Sequence, residues 1–200
     1  ISVLSLSFFS CSSEFQDNFQ DRDDGYLDIV FFNVETRADL ANDGSGSFTE
    51  GDKVGLYLQG DKGLSYRELT YSGGQWIPRL KRNDFGEGPL SLSAHYPATG
   101  EQQNPETYQL NMALDQTGDG FYNSDLLFSK TVVESGVYKA DMNFGHALHR
   151  IRIFLSGSMT SPEVKVRSLT QGYFNLLTGE AEVRGTDFRW ITPSKDGEGN

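Results

Sequence analysis

Apolar and polar residues alternate along much of this chain with a period of two, which sends successive side chains to opposite faces of an extended backbone and predicts strands rather than helices. The stretch Asn143 to Leu155, NFGHALHRIRIFL, shows the pattern with Ile151, Ile153 and Leu155 on one face and Phe154 on the other. It predicts an inner strand in which Arg150 and Arg152 bury their stems and keep their heads in water. A helix competes for this stretch, but Gly145 and Gly157 bound it at strand length.

Further strands follow the same logic. Tyr26 to Val34, YLDIVFFNV, is rich in Ile, Val and Phe. Gly51-Asp52 makes a turn, after which Val54, Leu56 and Leu58 form one buried face. Leu69-Thr70-Tyr71 and Trp76-Ile77-Pro78 form a hairpin across Gly73-Gly74, since a two-residue primed turn requires positive φ angles. Leu90, Leu92, Ala94 and Tyr96 point inward until Pro97, which cannot donate to a ladder, ends the run. Tyr108, Leu110, Met112 and Leu114 give another alternating face, and Val137 to Phe144 leads into the stretch described first. Val164 to Val166 and Gly172 to Leu176 are strands, the second closed by a turn at Thr178-Gly179-Glu180.

Composition supports an all-β class: the 200 residues include 22 Gly, 14 Phe and 9 Tyr. A formal charge of −11 repels phosphate backbones and anionic headgroups, so nucleic acid is excluded as a partner. The one cysteine, Cys11, permits no internal disulfide. Sheet packing must supply the stability.

Residues 1–10, ISVLSLSFFS, are apolar and uncharged, too short to span a bilayer, and match the core and cleavage end of a secretory signal. Without an initiating Met or a basic start, the chain is expected to begin inside that signal. The sequence F-F-S-C-S-S-E resembles a relaxed bacterial lipobox, with Cys11 as lipid acceptor; a buried thiol after an ordinary strand is the alternative. Several acyl chains at about 0.8 kcal/mol per methylene would hold the protein at a membrane. Residues 11–25 are polar and acidic, as expected of a flexible tether.

Candidate chemistry is sparse. Asp115, Thr117, Asp119 and Gly120 imitate the start of a calcium loop, but its twelfth position is Leu126 and not a bidentate Glu. His146 and His149 would point to opposite faces of a strand and could not share one ion. No catalytic motif is recognisable from spacing, which predicts a protein that is not an enzyme and needs no cofactor or metal.

Several phrases carry a family resemblance. They are F-x-H-A-L-x-x-I-x-I from Phe144 to Ile153, F-x-x-G-D-x-V-G-L-Y from Phe48 to Tyr57, and Y-x-x-G-x-W from Tyr71 to Trp76. Others are A-x-Y-P from Ala94 to Pro97, D-Q-T at Asp115 followed by S-D-L-L at Ser124, and G-x-F-N-L-x-T-G-E from Gly172 to Glu180. Together they resemble the fimbrillins, lipoprotein pilins and pilus accessory subunits of certain anaerobic Gram-negative bacteria.

That resemblance implies a transthyretin-like β-sandwich over residues 26–156 and the beginning of a second β domain over 157–200, with the chain expected to continue beyond Asn200. It implies a lipid-anchored, surface-exposed protein of the outer membrane, serving as pilus subunit, anchor or tip adhesin, whose partners are other subunits joined by strand donation. Host or bacterial surface ligands are further possible partners. An acidic stretch after the lipidated Cys, here Glu14, Asp17, Asp21, Asp23 and Asp24, resembles a surface-export signal or is simply a solvated linker. In polymerising subunits an arginine-specific protease cuts after the first strand, and Arg37 is the matching position. The alternative function is a glycan-binding lipoprotein whose aromatic platforms would be Trp76, Tyr71 or Trp190.

Overall fold

The computed structural model describes residues 24–32, 48–149, 151–156 and 163–195. The fold is all-β, as the alternation predicts. In chain order the strands are β1 (Asp28–Phe32), β2 (Lys53–Gly60), β3 (Gly63–Ser72), β4 (Gln75–Ile77), β5 (Leu90–Tyr96), β6 (Tyr108–Asn111), β7 (Leu127–Val133), β8 (Lys139–Asn143) and β9 (Gly145–His146). They continue with β10 (Val166–Leu169), β11 (Gln171–Phe174), β12 (Ala181–Glu182) and β13 (Phe188–Ile191), and a short helix, α1 (Asp119–Asn123), precedes β7.

An antiparallel six-stranded sheet in the order β4-β3-β2-β5-β7-β9 is the central layer. Local chemistry sets much of its register. The β3–β4 turn contains only Gly73 and Gly74, at φ 57° and 79°, so Ser72 pairs with Gln75 and Tyr71 with Trp76. Beside the same end of β3, Asp52 closes the turn before β2: its carboxylate accepts from the Thr49 amide at 2.7 Å and from the Tyr96 hydroxyl at 3.0 Å. Gly51-Asp52 is therefore a turn that is also tied to β5.

One face of this sheet presents Val54, Leu56, Leu58, Leu69, Leu90, Leu92, Ala94 and Tyr96 to the first core. Covering it are β1 and β8, which pair in parallel from Asp28 opposite Lys139 to Phe32 opposite Asn143. Their contribution is Leu27, Ala140, Met142 and Phe144, with Ile29 and Phe31 packed alongside.

The opposite face is covered as well. Strands β12, β11 and β6 form a three-stranded sheet whose Phe174, with the following Leu176, packs with Tyr57 and Leu126 in a second core. Pairing of β11 with β6, Phe174 opposite Tyr108, joins strands on either side of residue 157. Strand β2 is thus enclosed on both sides, with Val54 through Leu58 all buried.

One expectation is corrected. Ile151, Ile153 and Leu155 do not form an inner strand: residues 151–156 have no regular structure, and Ile151 is 74% exposed. The reason is register. Strand β9 pairs with β7 as His146 opposite Leu127, and Ala147 adds one bond to the Leu126 carbonyl. Continued, that register would set Ile151 opposite Tyr122, which lies in α1 and offers no ladder. Alternation makes a stretch able to be a strand, but a free edge must also face it.

Candidate functional site

Strand β1 is held to the body by both its backbone and its side chains. Its ladder to β8 supports one edge, while on the other side Leu27 donates to the Leu80 carbonyl at 2.8 Å and Tyr26 bridges Lys81. Leu27, Ile29 and Phe31 point inward by simple alternation. Phe31 enters an aromatic socket, with ring centroids 5.1 Å from Trp76, 5.3 Å from Phe144 and 6.1 Å from Phe48. Phe48 in turn meets Trp76 edge-on at 4.7 Å and Tyr96 at 5.6 Å. Such pairs contribute about 0.5–1.5 kcal/mol each beyond area burial. At the start of the strand, the Arg79 guanidinium lies 4.5 Å from the Tyr26 ring and pairs with Asp24 at 2.7 Å.

Removing β1 would therefore open an apolar groove on the first core, floored by the β2–β5 face and walled by Phe48, Trp76 and Phe144. Cys11 and Arg37 lie outside the described residues. So do Glu14, Asp17, Asp21 and Asp23 of the acidic stretch.

The aromatic residues named as sugar platforms are not equivalent. Trp76 and Tyr71 are half-buried and meet at a tilt with ring centroids 5.2 Å apart, with the indole also held by Phe31 and Phe48. Trp190 stands apart on β13 with an indole 62% exposed.

A polar cluster not legible in the sequence lies beneath the loop after β5. His95 is fully buried, its Nε2 3.1 Å from Thr99 Oγ1, and its ring stacks near Tyr57 and Tyr66. Burial pushes this imidazole down to about 4, against the opposing pull of Glu68, so it is neutral at physiological pH. Burial, with Glu68, Tyr57 and Glu101 adding to it, pushes the Tyr66 phenol up to about 12. The Tyr57 hydroxyl accepts from the Gln102 amide at 2.9 Å. A neutral imidazole and protonated phenols sealed from solvent pin the loop, and they present no reacting atom to a substrate.

The remaining candidates are local structure. Asp115 accepts from the Thr117 amide at 2.9 Å and from the Thr117 hydroxyl at 2.6 Å, an Asx turn in place of a calcium ligand. His146 Nδ1 lies 2.9 Å from Asp125. Among the described residues no group of three or more His, Cys, Asp or Glu is arranged to hold a metal ion.

The described residues form an all-β body with a strand docked on one face and exposed aromatic side chains on the β10–β13 hairpin. A family model described as fimbrillin-like matches residues 36–199, and the chain belongs to that family. It is thus a fimbrial-type subunit of the cell surface. The fold is shared with solved proteins assigned to cell adhesion. One from Bacteroides ovatus is 19% identical, with a TM-score of 0.54 over 83% of this chain and 71% of that one. Another from Bacteroides uniformis is 16% identical, with a TM-score of 0.51 over 88% and 72%. One from Bacteroides thetaiotaomicron is 14% identical, with a TM-score of 0.50 over 84% and 67%. No curated protein matches the sequence.

Proposed function

We propose that this protein is a lipid-anchored fimbrial subunit of the outer membrane, serving as stalk, anchor or tip, whose neighbours attach by filling the β1 position with a strand of their own. The observation that supports this is the seating of Leu27, Ile29 and Phe31 on the first core through alternate side chains, which another strand could supply beside the β8 edge. Strand addition gains affinity from main-chain bonds and specificity from pockets for alternate side chains. Arg37 follows β1 closely enough for one cut to free the strand, and Cys11 supplies the acyl attachment point.

Full-length protein treated with an arginine-specific protease is expected to lose residues up to Arg37 and then to form SDS-resistant ladders. Complete cutting that leaves only monomers overturns strand exchange. Resistance to cutting assigns the chain to an anchor or tip role. In cells, Cys11→Ala is expected to abolish labelling by a palmitate analogue and release the protein from the membrane fraction.

A second function, capture of surface glycans, is supported at Trp190, whose ring is open to solvent. Trp76 and Tyr71 are committed to packing.

A further inference from the structure

Strands β10 and β13 pair so that Arg167 lies opposite Trp190 and Leu169 opposite Phe188. Because side chains alternate, these four share one face while Val166 and Ile191 take the other. Ile191 is buried, whereas Phe188 and Trp190 are 49% and 62% exposed. Two aromatic side chains, one strand repeat apart, thus face solvent beside a guanidinium, and Arg167 lies 5.8 Å from the Phe188 ring centroid.

Other arginines of this part of the chain do pair with carboxylates, Arg189 with Asp187 at 2.9 Å and Arg184 with Glu182 at 2.6 Å. Arg167 has no carboxylate partner among the described residues, although the chain holds 28 acidic residues against 17 basic ones. An exposed cation without a carboxylate, beside the Phe188 ring and across the ladder from Trp190, fits a ligand that brings its own carboxylate and an apolar face. A long polyanion would be repelled by the net charge of −11, but a single carboxylate on a sugar would not.

We infer that the Arg167–Phe188–Trp190 face of the β10–β13 hairpin binds an acidic sugar residue, a uronic or sialic acid. The pyranose C–H face lies on the indole of Trp190, and the sugar carboxylate takes the forked donors of Arg167. This rests on the glycan-capture function and is independent of strand exchange at β1.

Isothermal titration of the full chain with 3′-sialyllactose and trigalacturonic acid, each beside its neutral counterpart, lactose or galactotriose, tests it. One acidic sugar is expected to bind at least about tenfold tighter than its neutral counterpart, the scale of one charge-assisted contact. Whichever acid binds identifies the class. Arg167→Gln should erase the acid preference and Trp190→Ala should abolish binding, both with unchanged circular dichroism. Equal affinity for acidic and neutral sugars overturns the inference while leaving glycan capture intact. No binding of any sugar overturns both, and so does a concentration-dependent dimer that Trp190→Ala dissolves, because the face would then be an interface between copies.

Discussion

Gly55 on β2 lies directly opposite His95 on β5, and a Cβ built on Gly55 would sit 2.3 Å from Cε1 of the imidazole. The glycine is where the buried ring passes over the sheet, and it is kept by packing and not by a turn. Gly55→Ala is expected to cost about 1–3 kcal/mol, the usual penalty for overfilling a tight interior. Urea unfolding of Gly55→Ala, His95→Ala and the double variant should show the second substitution relieving part of the first. Strictly additive losses would mean that the two positions do not press on each other.

The same histidine gives the fold a pH dependence. Its folded value of about 4 lies below the ordinary 6.5, so the unfolded chain takes up a proton that the folded one resists. The stabilising contribution is complete above pH 6.5, falls away as acid is added through that window, and is gone near pH 4, a total of about 3 kcal/mol. Denaturant midpoints measured between pH 7.5 and 4 should decline, and His95→Gln should flatten that part of the curve. An unchanged slope in the variant would assign the decline to carboxylates elsewhere.

Phe31 anchors β1 through its aromatic socket. Being half-buried, it should cost about 2 kcal/mol as Phe31→Ala, less than the ~3–5 kcal/mol of a fully enclosed Phe. Amide exchange should show β1 opening faster while β2 and β5 stay protected, which global unfolding would not produce.

Arg82 is buried beside the loop before β5, where it donates to the Gly86 carbonyl at 2.7 Å and also to the Gly88 carbonyl. Asp61 holds the same loop from the other side, accepting from the Gly88 amide at 2.7 Å. Arg82→Ala strands two carbonyls and is expected to cost about 3 kcal/mol, with Arg82→Lys recovering only part because one ammonium cannot reproduce the fork. Thermal melts of the two variants check the order.

What could be read from the residues alone was what is local. Val54, Leu56 and Leu58, the Leu90-to-Tyr96 alternation and the Gly73-Gly74 turn each declare themselves within a few positions. The parallel union of β1 with β8 and the crossing of β11 to β6 depend on distant partners that no short window contains. The reverse face of β5, at Ser93 and His95, does not declare itself in this way. That face is buried on the side of the second core, where Ser93 donates to the Leu177 carbonyl at 3.2 Å. Trp190 could be picked out as an aromatic residue, but its guanidinium neighbour emerges only from the β10–β13 register.

Enclosure of β2 on both sides makes it a party wall between two rooms. Strand β1 can lift away and leave the wall standing, but heat, acid or mechanical load that breaches β2 should bring both rooms down in one event. If the subunit carries load, such a shared wall means failure comes late and all at once.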